Sequence, residues 1–248
     1  MNNEKLNSSE EEVGVTLLAS EINEATVINQ VTIEKPDVSS TKSILYRVAK
    51  RTLDIILSLI FLVLCSPIFL VLFVLIKTKE PNHNVFFGQY RYGFKGRRFK
   101  MYKFRSMVAN AEQKLKDNEV LYKKYVDNNY KLESHEDPRI TKLGALIRKY
   151  SIDEIPQFYN VLKGDMSIVG PRPIVDEELE IEYGLDKIKF LSTKPGITGY
   201  WQANGRSNVG YPERKSMELY YIDNCSFLLD VKIILLTIKS VIFKTGAY

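Results

Sequence analysis

The chain has 248 residues, of which 45% are hydrophobic and 26% charged, a composition too polar for a bundle of several membrane spans. Two cysteines and two histidines provide no disulfide framework and argue against a histidine-based metal site. Residues 1–45 carry three basic and eight acidic residues, so the remainder, with 32 basic and 22 acidic residues, has a net charge of +10. Such a basic body predicts an anionic partner: nucleic acid, an anionic membrane surface or a phosphorylated substrate.

Residues 1–45 form an acidic segment that is rich in Glu, Asn, Ser and Thr and contains no aromatic side chain. Such a segment buries too little apolar surface to offset the conformational entropy lost on folding. We therefore predict a disordered acidic tail. The acidic start and the late position of the first apolar run are not those of a secretory signal.

The next segment, residues 55–76, is a run of 22 residues without a charge, long enough to cross a bilayer as one straight helix. Both flanks are basic, whereas the positive-inside rule places only one flank of a spanning helix in the cytoplasm. Ser66-Pro67 lies near the middle of the run, and proline kinks a helix by removing a backbone hydrogen bond. We predict over residues 46–80 a re-entrant membrane helix that enters and leaves the same leaflet, with a plain transmembrane helix as the alternative. The flanking basic residues are Arg47, Lys50, Arg51, Lys77 and Lys79.

Residues 85–105 alternate in the manner of β-strands, and Gly93 and Gly96 mark a turn between the two halves. This pattern predicts a β-hairpin. The hairpin has no acid and seven basic residues: Arg91, Lys95, Arg97, Arg98, Lys100, Lys103 and Arg105. It is compatible with a solvated face, an anionic lipid contact or a nucleic-acid-binding ribbon. We single out Arg105, which follows the apolar Phe104 in the motif KFRSM.

Beyond the hairpin the pattern is mainly helical. We predict a charged helix over 109–134, helical segments over 140–163, a strand and turn over 164–173, a second charged helix over 174–192, a glycine-rich loop over 194–207 and a helix over 213–225. Residues 227–243 are too apolar for a surface helix, and Lys232 and Lys239 lie seven residues apart on one face. This pattern fits a helix lying in the membrane interface and, equally, a core helix.

Asp153 and Glu154 are adjacent carboxylates within the stretch IRKYSIDEIPQF. One interpretation is structural, because Ser151-x-x-Glu154 matches a capping box and acids favour the first turn of a helix. The other is catalytic, because Arg148 and Lys149 lie just upstream and neighbouring helical side chains point about 100° apart. In that arrangement one carboxylate attacks a phosphorus atom while the other holds a cation.

Two further segments contain candidate binding residues. In Gly170-Pro171-Arg172-Pro173 the prolines limit backbone freedom, which suits bidentate phosphate binding by Arg172, although a tight structural turn is the commoner use of such a sequence. The loop 194–207 contains the only tryptophan of the chain, among glycines that allow close backbone approach. Its candidate sugar- or nucleotide-binding residues are Thr198, Trp201, Gln202 and Asn204, and Arg206 is a phosphate-binding candidate. The alternative is a structural Ω-loop with a packing tryptophan.

Taken together, these segments resemble the bacterial sugar transferase family, the monotopic phosphoglycosyl transferases that prime capsule, exopolysaccharide and glycan assembly. The motifs that carry the resemblance are RTLDIILSLIFLVLCSPIFL, KFRSM, DPRITKLGALIRKYSIDEIPQFYNVLKGDMSIVGPRP and KPGITGYWQANGRS, in the family's order. The length is similar to that of the family's small catalytic form, and the acidic tail has no counterpart in the family's motifs. Where the family has leucine in SLDELPQ, this chain has Ile152 and Ile155, which conserve side-chain volume.

The resemblance implies a membrane helix broken at Ser66-Pro67, an aspartate nucleophile at Asp153 with Glu154 beside it, and substrate phosphate bound by Arg172. On this basis Asp153 attacks the β-phosphorus of a UDP-sugar, UMP leaves, and undecaprenyl phosphate takes the phosphosugar from the aspartate. Mg²⁺ held by Glu154 and Asp153 is the expected cofactor. The arginines expected to bind phosphate oxygens are Arg148, Arg172, Arg105 and Arg206.

The expected fold class is α+β and mainly helical: a monotopic membrane protein with a re-entrant kinked helix, a small β-hairpin and interfacial amphipathic helices. The expected domains are the tail 1–45, the membrane helix 46–80 and a cytoplasmic catalytic domain 81–248. The expected partners are a UDP-sugar, with glucose or galactose favoured, undecaprenyl phosphate and the inner leaflet of the bacterial membrane, with no nucleic acid and with a homodimer left open. The alternatives are a membrane-tethered basic nucleic-acid-binding or regulatory protein, and a membrane adaptor without chemistry.

Overall fold

The computed structural model describes residues 43–128, 130, 132, 136–205 and 209–242, with side chains described as far as residue 240. Apart from residues 43–45, the predicted acidic tail lies outside the described residues. Arg206, the phosphate-binding candidate of the glycine-rich loop, also lies outside them.

The described part of the chain is mainly helical and contains two small sheets. Its helices are α1 (Ile44–Leu64), α2 (Ser66–Lys79), α3 (Ala111–Lys116), α4 (Glu119–Asp127), α5 (Lys142–Lys149), α6 (Gln157–Lys163), α7 (Asp176–Glu178), α8 (Lys187–Phe190), α9 (Tyr200–Asn204), α10 (Glu213–Asn224) and α11 (Phe227–Ile242). Its strands are β1 (Phe86–Tyr92), β2 (Arg98–Phe104), β3 (Ser167–Val169) and β4 (Gly196–Thr198). Short 3-10 turns lie at Phe94–Gly96, Ile152–Glu154 and Gly184–Asp186, and a π-helical turn at Leu179–Tyr183. β1 pairs antiparallel with β2, and β3 pairs parallel with β4, so the predicted hairpin and the mainly helical α+β class are confirmed.

The long apolar run forms two helices bent by 58°, with Cys65 between them. Pro67 sits in the first turn of α2, where its missing N–H cannot continue the hydrogen-bond ladder of α1. The kink predicted at Ser66-Pro67 is therefore confirmed. Among the described helices, each taken alone falls short of the length and apolar character of a membrane span, whereas the bent pair together meets both criteria.

The two ends of the bent pair meet the same folded body. Near the start of α1, the Arg51 guanidinium donates to the carbonyls of Val161 and Leu162 at 2.6 and 2.7 Å. These carbonyls lie at the C-terminal end of α6, where the helix dipole attracts a cation. Near the end of α2, Ile76 is 3% exposed and belongs to one apolar cluster with Phe104 of β2. The helix pair thus leaves the body and returns to it.

The main core lies between the hairpin, α6, β3 and the C-terminal helices, and Val161, Met166 and Ile233 at its centre are fully buried. One buried polar side chain forms hydrogen bonds between α1 and this core. Asp54 is 4% exposed and accepts hydrogen bonds from the Ser167 hydroxyl at 3.0 Å and the Ile168 N–H at 2.9 Å. Its carboxylate therefore satisfies groups at β3 and fixes the base of the apolar helix pair.

Both predicted charged helices are interrupted. The helix predicted over 109–134 is two helices, because the Asn118 side chain accepts from the Leu121 N–H and begins α4 with a new N-cap. The helix predicted over 174–192 is a series of short turns, because Gly184 adopts a φ of +45°, which is left-handed and ends the helical run. The helical character predicted for both segments is confirmed, whereas the prediction of one continuous helix in each is wrong.

The segment 194–207 is not a loop throughout, since β4 and α9 lie within it. β4 lies so close to the turn after β3 that a Cβ atom built on Gly196 would come within 2.1 Å of the Gly170 nitrogen. The glycines therefore serve the close approach of two backbones, which yields the parallel pair β3–β4.

The last predicted helix is confirmed as α11, and its two sides differ. Asp230 and Ile233 are buried in the core, whereas Leu228 and Leu235 are 82% and 62% exposed. The core interpretation is thus correct for one face. The exposed leucines are compatible with the predicted position in a membrane interface, which stays a prediction.

Candidate active site

Asp153 and Glu154 lie on the 3-10 turn between α5 and α6. The turn begins at Ser151, whose φ of +53° ends α5 and redirects the chain. The Ser151 side chain makes no capping hydrogen bond. Glu154 Oε1 instead accepts from the Lys103 ammonium group of β2 at 2.6 Å. The capping-box interpretation is therefore wrong, since the Glu154 side chain pairs with Lys103 and not with the start of the helical turn.

The two carboxylates occupy different environments. Asp153 is 5% exposed, and burial raises the pKa of its carboxyl group above the ordinary value, with the charges of Lys103 and Arg148 opposing that rise. The Glu154 side chain is 40% exposed. Although desolvation raises its pKa, the charges of Lys103, Arg172 and Arg148 outweigh this and hold the pKa of Glu154 below its ordinary value. The dyad thus combines a buried carboxyl group of raised pKa with a more accessible and more acidic one.

Four sequence-predicted residues are brought together here, namely Asp153, Glu154, Arg148 and Arg172. Arg148 lies in the last turn of α5 and is half-buried. Arg172 follows β3, and its charge acts on Glu154. Two carboxylates with two arginines form a site suited to binding a phosphate while holding a nucleophile beside it.

Lys103 is the hairpin cation that contacts the dyad, whereas the sequence analysis singled out Arg105. The Arg105 guanidinium donates to the Asn84 carbonyl at 2.7 Å, on the segment before β1. Lys103 shares a strand face with Phe99 and Met101, which are buried. A lysine on the core-facing side of a strand is unusual unless it has an anionic partner, and this alternation is the signal that could have identified it.

A buried asparagine holds the hairpin against the dyad. Asn160 of α6 is 0% exposed. Its side-chain oxygen accepts from the Tyr102 N–H at 3.0 Å, and its amide nitrogen donates to the Lys100 carbonyl at 2.8 Å. Because Tyr102 is adjacent to Lys103, these two bonds fix the strand that carries the lysine relative to the helix that follows Glu154.

The Arg172 loop is held by backbone bonds and by one buried carboxylate. The Arg172 N–H donates to Glu218 Oε1 at 3.0 Å, and the Gly196 N–H donates to the Pro171 carbonyl at 2.8 Å. Glu218 is 1% exposed and accepts a second hydrogen bond from the Tyr183 hydroxyl. The backbone of Arg172 is therefore fixed, which limits the positions that its guanidinium can reach.

The candidates on 194–207 have partners within the protein. The Thr198 hydroxyl lies 2.7 Å from that of Thr237, Gln202 donates to the Ile197 carbonyl at 3.3 Å, and Asn204 donates to the Tyr200 carbonyl at 2.7 Å. Their role in sugar or nucleotide binding stays a prediction.

Trp201 is 2% exposed, and the Arg214 guanidinium lies 4.6 Å from the centre of its ring. A cation over a buried ring is the arrangement of a packing tryptophan. The structure thus favours the structural alternative for this residue.

The dyad is the candidate metal site. In residues 43–128, 130, 132, 136–205 and 209–242, no three His, Cys, Asp or Glu side chains come together as a complete protein metal site. Magnesium in phosphate-transferring sites typically takes only one or two protein carboxylates together with substrate phosphates. The half-exposed, acidic Glu154 fits that requirement.

The chain matches the family described as bacterial sugar transferase over residues 45–244. It is 42% identical over 205 residues to the undecaprenyl-phosphate galactose phosphotransferase of Salmonella typhimurium, covering 82% of this chain and 42% of the relative. It is 46% identical over 201 residues to the galactosyl transferase CpsE of Streptococcus agalactiae, covering 81% and 43%. It is 38% identical over 205 residues to the exopolysaccharide production protein ExoY of Sinorhizobium fredii, covering 81% and 88%. The aligned part thus spans less than half of the first two relatives and most of the third.

Proposed function

We propose that this chain, which belongs to the bacterial sugar transferase family, transfers a sugar-1-phosphate from a UDP-sugar to undecaprenyl phosphate. The product would prime exopolysaccharide or capsule synthesis. The observation that carries the proposal is a buried carboxylate, Asp153, beside the acidic Glu154, with Lys103, Arg148 and Arg172 acting on the pair. Three cations around two carboxylates leave net positive charge for a diphosphate.

The proposed reaction has two displacements at one phosphorus atom. In the first, a carboxylate oxygen of Asp153 forms a bond to the β-phosphorus of the donor while the bond to the bridging oxygen breaks, and UMP leaves. In the second, an oxygen of undecaprenyl phosphate bonds to that phosphorus and the bond to Asp153 breaks. Arg148 and Arg172 stabilise the charge on the phosphoryl oxygens in both steps.

Lys103 and Glu154 support the nucleophile. Asp153 must be ionised to attack, and burial opposes its ionisation. The Lys103 charge opposes that effect, and its bond to Glu154 fixes the lysine beside the dyad. Glu154 would hold Mg²⁺, which would supply positive charge to offset the negative charge that builds up on the phosphates.

The proposed donor sugar is galactose. The names of the Salmonella and Streptococcus relatives each include galactose or galactosyl, and both alignments cover more than four fifths of this chain. Glucose is the second candidate. The segment 194–207, which contains β4 and α9, is the part we propose to influence the choice.

We propose that α1 and α2 insert into the cytoplasmic leaflet as a re-entrant pair. A spanning helix would place its two ends on opposite sides of the bilayer, whereas Arg51 and Ile76 contact the same folded body. The outward side chains are apolar and exposed, as a lipid-facing surface requires. They include Ile56, Leu59, Ile60, Val63, Leu64, Leu70, Val71, Phe73 and Val74. The headgroup plane then lies at the base of the pair, where the dyad can meet the lipid phosphate.

The test is release of UMP by the full chain in lipid nanodiscs, with a panel of UDP-sugars and undecaprenyl phosphate. We expect turnover with UDP-galactose and a loss of at least about 10³-fold in Asp153→Asn. Asp117→Asn, a change at an exposed carboxylate after α3, is the matched control and should retain full activity. Mass spectrometry of enzyme incubated with donor alone should find the phosphosugar on the peptide that contains Asp153. Full turnover in Asp153→Asn, or no turnover with any donor, would overturn the proposal.

A further inference from the structure

Arg91, near the end of β1, is a partly buried cation with a hydrogen-bond donor that lacks a partner among the described residues. Its Nε atom is buried and has no hydrogen-bond partner, and a terminal nitrogen donates to the neutral Gln89 side chain at 2.7 Å. Burial, together with the charge of Arg172, lowers the pKa of Arg91 to about 10, although Tyr125, Glu178 and Glu112 act in the opposite direction. In the part of the chain that the structure describes, Arg91 forms no ion pair with a carboxylate. A donor such as this Nε, buried without a hydrogen-bond partner, is costly unless a ligand supplies the acceptor.

Arg172 links Arg91 to the dyad. Its positive charge lowers the pKa of Arg91 and also that of Glu154. The positive charge thus continues from Lys103 through Arg172 to Arg91. Two guanidinium groups that repel each other are a typical arrangement for a phosphate, which accepts hydrogen bonds from both at once.

The hairpin register bears on the kind of phosphate that Arg91 could bind. Lys103 pairs with Phe87, and Arg91 lies four residues further along β1 on the same face. At about 3.3 Å per residue, the two basic residues are separated by roughly 13 Å along the strand. Phe86, at the opposite end of β1, packs 6.4 Å from Phe69 of α2. Arg91 is thus at the end of the hairpin remote from the apolar helices, which favours a water-soluble nucleotide over a lipid headgroup as its ligand.

We propose that Arg91 and Arg172 together bind the phosphate that remains with the leaving nucleotide, the α-phosphate of the donor and the phosphate of UMP. This inference rests on the proposed function for the identity of the nucleotide. Arg91 contacts the substrate at the end of the diphosphate remote from Asp153, so its loss affects the donor and UMP and leaves the acceptor unaffected.

The experiment uses the full chain in nanodiscs and four proteins: wild type, Arg91→Ala, Arg91→Lys and the control Arg97→Ala. Arg97 is an exposed arginine in the hairpin turn. UMP affinity is measured by calorimetry, and KM is measured for UDP-galactose and for undecaprenyl phosphate. Loss of a charge-assisted contact predicts UMP binding weaker by about 10- to 100-fold in Arg91→Ala. The donor KM should rise in parallel, the acceptor KM should stay within about twofold, and Arg97→Ala should match wild type.

Arg91→Lys keeps one charge without the fork geometry, so its UMP affinity should lie between those of wild type and Arg91→Ala. If Arg91→Ala does not fold, as judged by its thermal midpoint, UMP affinity is compared between Arg91→Lys and wild type. Weaker UMP binding by Arg91→Lys then supports the inference. Unchanged UMP affinity in a folded Arg91 variant, no UMP binding by wild type, or a rise confined to the acceptor KM would each overturn the inference. Wild-type UMP binding without turnover of any donor would instead reject the proposed reaction and leave the Arg91 site standing.

Discussion

Lys103 and Arg105 lie two residues apart in the same motif, and the structure predicts different consequences when each is neutralised. The Lys103 ammonium lies 2.6 Å from Glu154 and lowers the pKa of both dyad carboxylates. Arg105 donates to the Asn84 carbonyl at 2.7 Å. We therefore compare Lys103→Gln with Arg105→Gln, since each replaces a cation by a neutral side chain that still forms hydrogen bonds.

For Lys103→Gln we expect a large loss of kcat and only a small loss of stability. Loss of one preorganised charge from a site of developing negative charge costs about 10²–10³ in kcat. The effect on stability is small, because the Glu154 side chain is 40% exposed and water can solvate it once the lysine is gone. Such an ion pair contributes at most about 1 kcal/mol, so the thermal midpoint should fall by no more than about 4 °C. Arg105→Gln should cost less than about tenfold in kcat, since a single hydrogen bond to a carbonyl contributes about 1 kcal/mol.

The assay is the initial rate of UMP release over a range from roughly pH 5 to pH 8. In wild type, activity should fall at acid pH as Asp153 becomes protonated, and this fall should begin above the ordinary range of an aspartate because burial raises its pKa. In Lys103→Gln the fall should move to higher pH, because the lysine no longer favours the ionised carboxylates. Equal losses in the two variants, or an acid limb that does not move, would refute this assignment of roles.

Three further predictions concern the nucleophile, the hairpin contact and the helix break. Asp153→Asn should raise the thermal midpoint at neutral pH, because ionising a carboxyl group of raised pKa costs folding free energy. The gain should shrink as pH falls through that raised pKa, and a gain independent of pH contradicts the argument. Asn160→Ala should lower the free energy of unfolding by about 2–4 kcal/mol, because it leaves two backbone groups of β2 without partners, and a loss below about 1 kcal/mol in a denaturation experiment contradicts it. In vesicles, cysteines placed at Val48 and Lys79 should react from the same side, and Pro67→Ala should move them to opposite sides. Opposite-side reaction with Pro67 present rejects the re-entrant pair, and same-side reaction in both proteins rejects Pro67 as its cause.

The sequence alone identified features that depend on residues close together along the chain. Alternation predicted the hairpin, and it forms between Phe86 and Phe104. Proline chemistry predicted the helix break, and the two helices diverge there by 58°. The motif around Asp153 and Glu154 marked the dyad, because adjacent acids between basic residues are visible without knowledge of the fold. Glycine-rich composition predicted a loop over 194–207 that is partly a strand, because β4 pairs with the distant β3 despite the glycines around it.

Only the tertiary structure decided which charges meet. Lys103 and Glu154 are separated by 51 residues, and their contact depends on Asn160 holding α6 against β2. The position of Arg91 beside Arg172 likewise depends on how β1 packs near the segment after β3. Sequence pattern records which face of an element is apolar, and it does not record which distant element covers that face. Because burial and neighbouring charge set the pKa of a carboxylate, the properties that suit Asp153 to the proposed nucleophilic role arise only when the chain is folded.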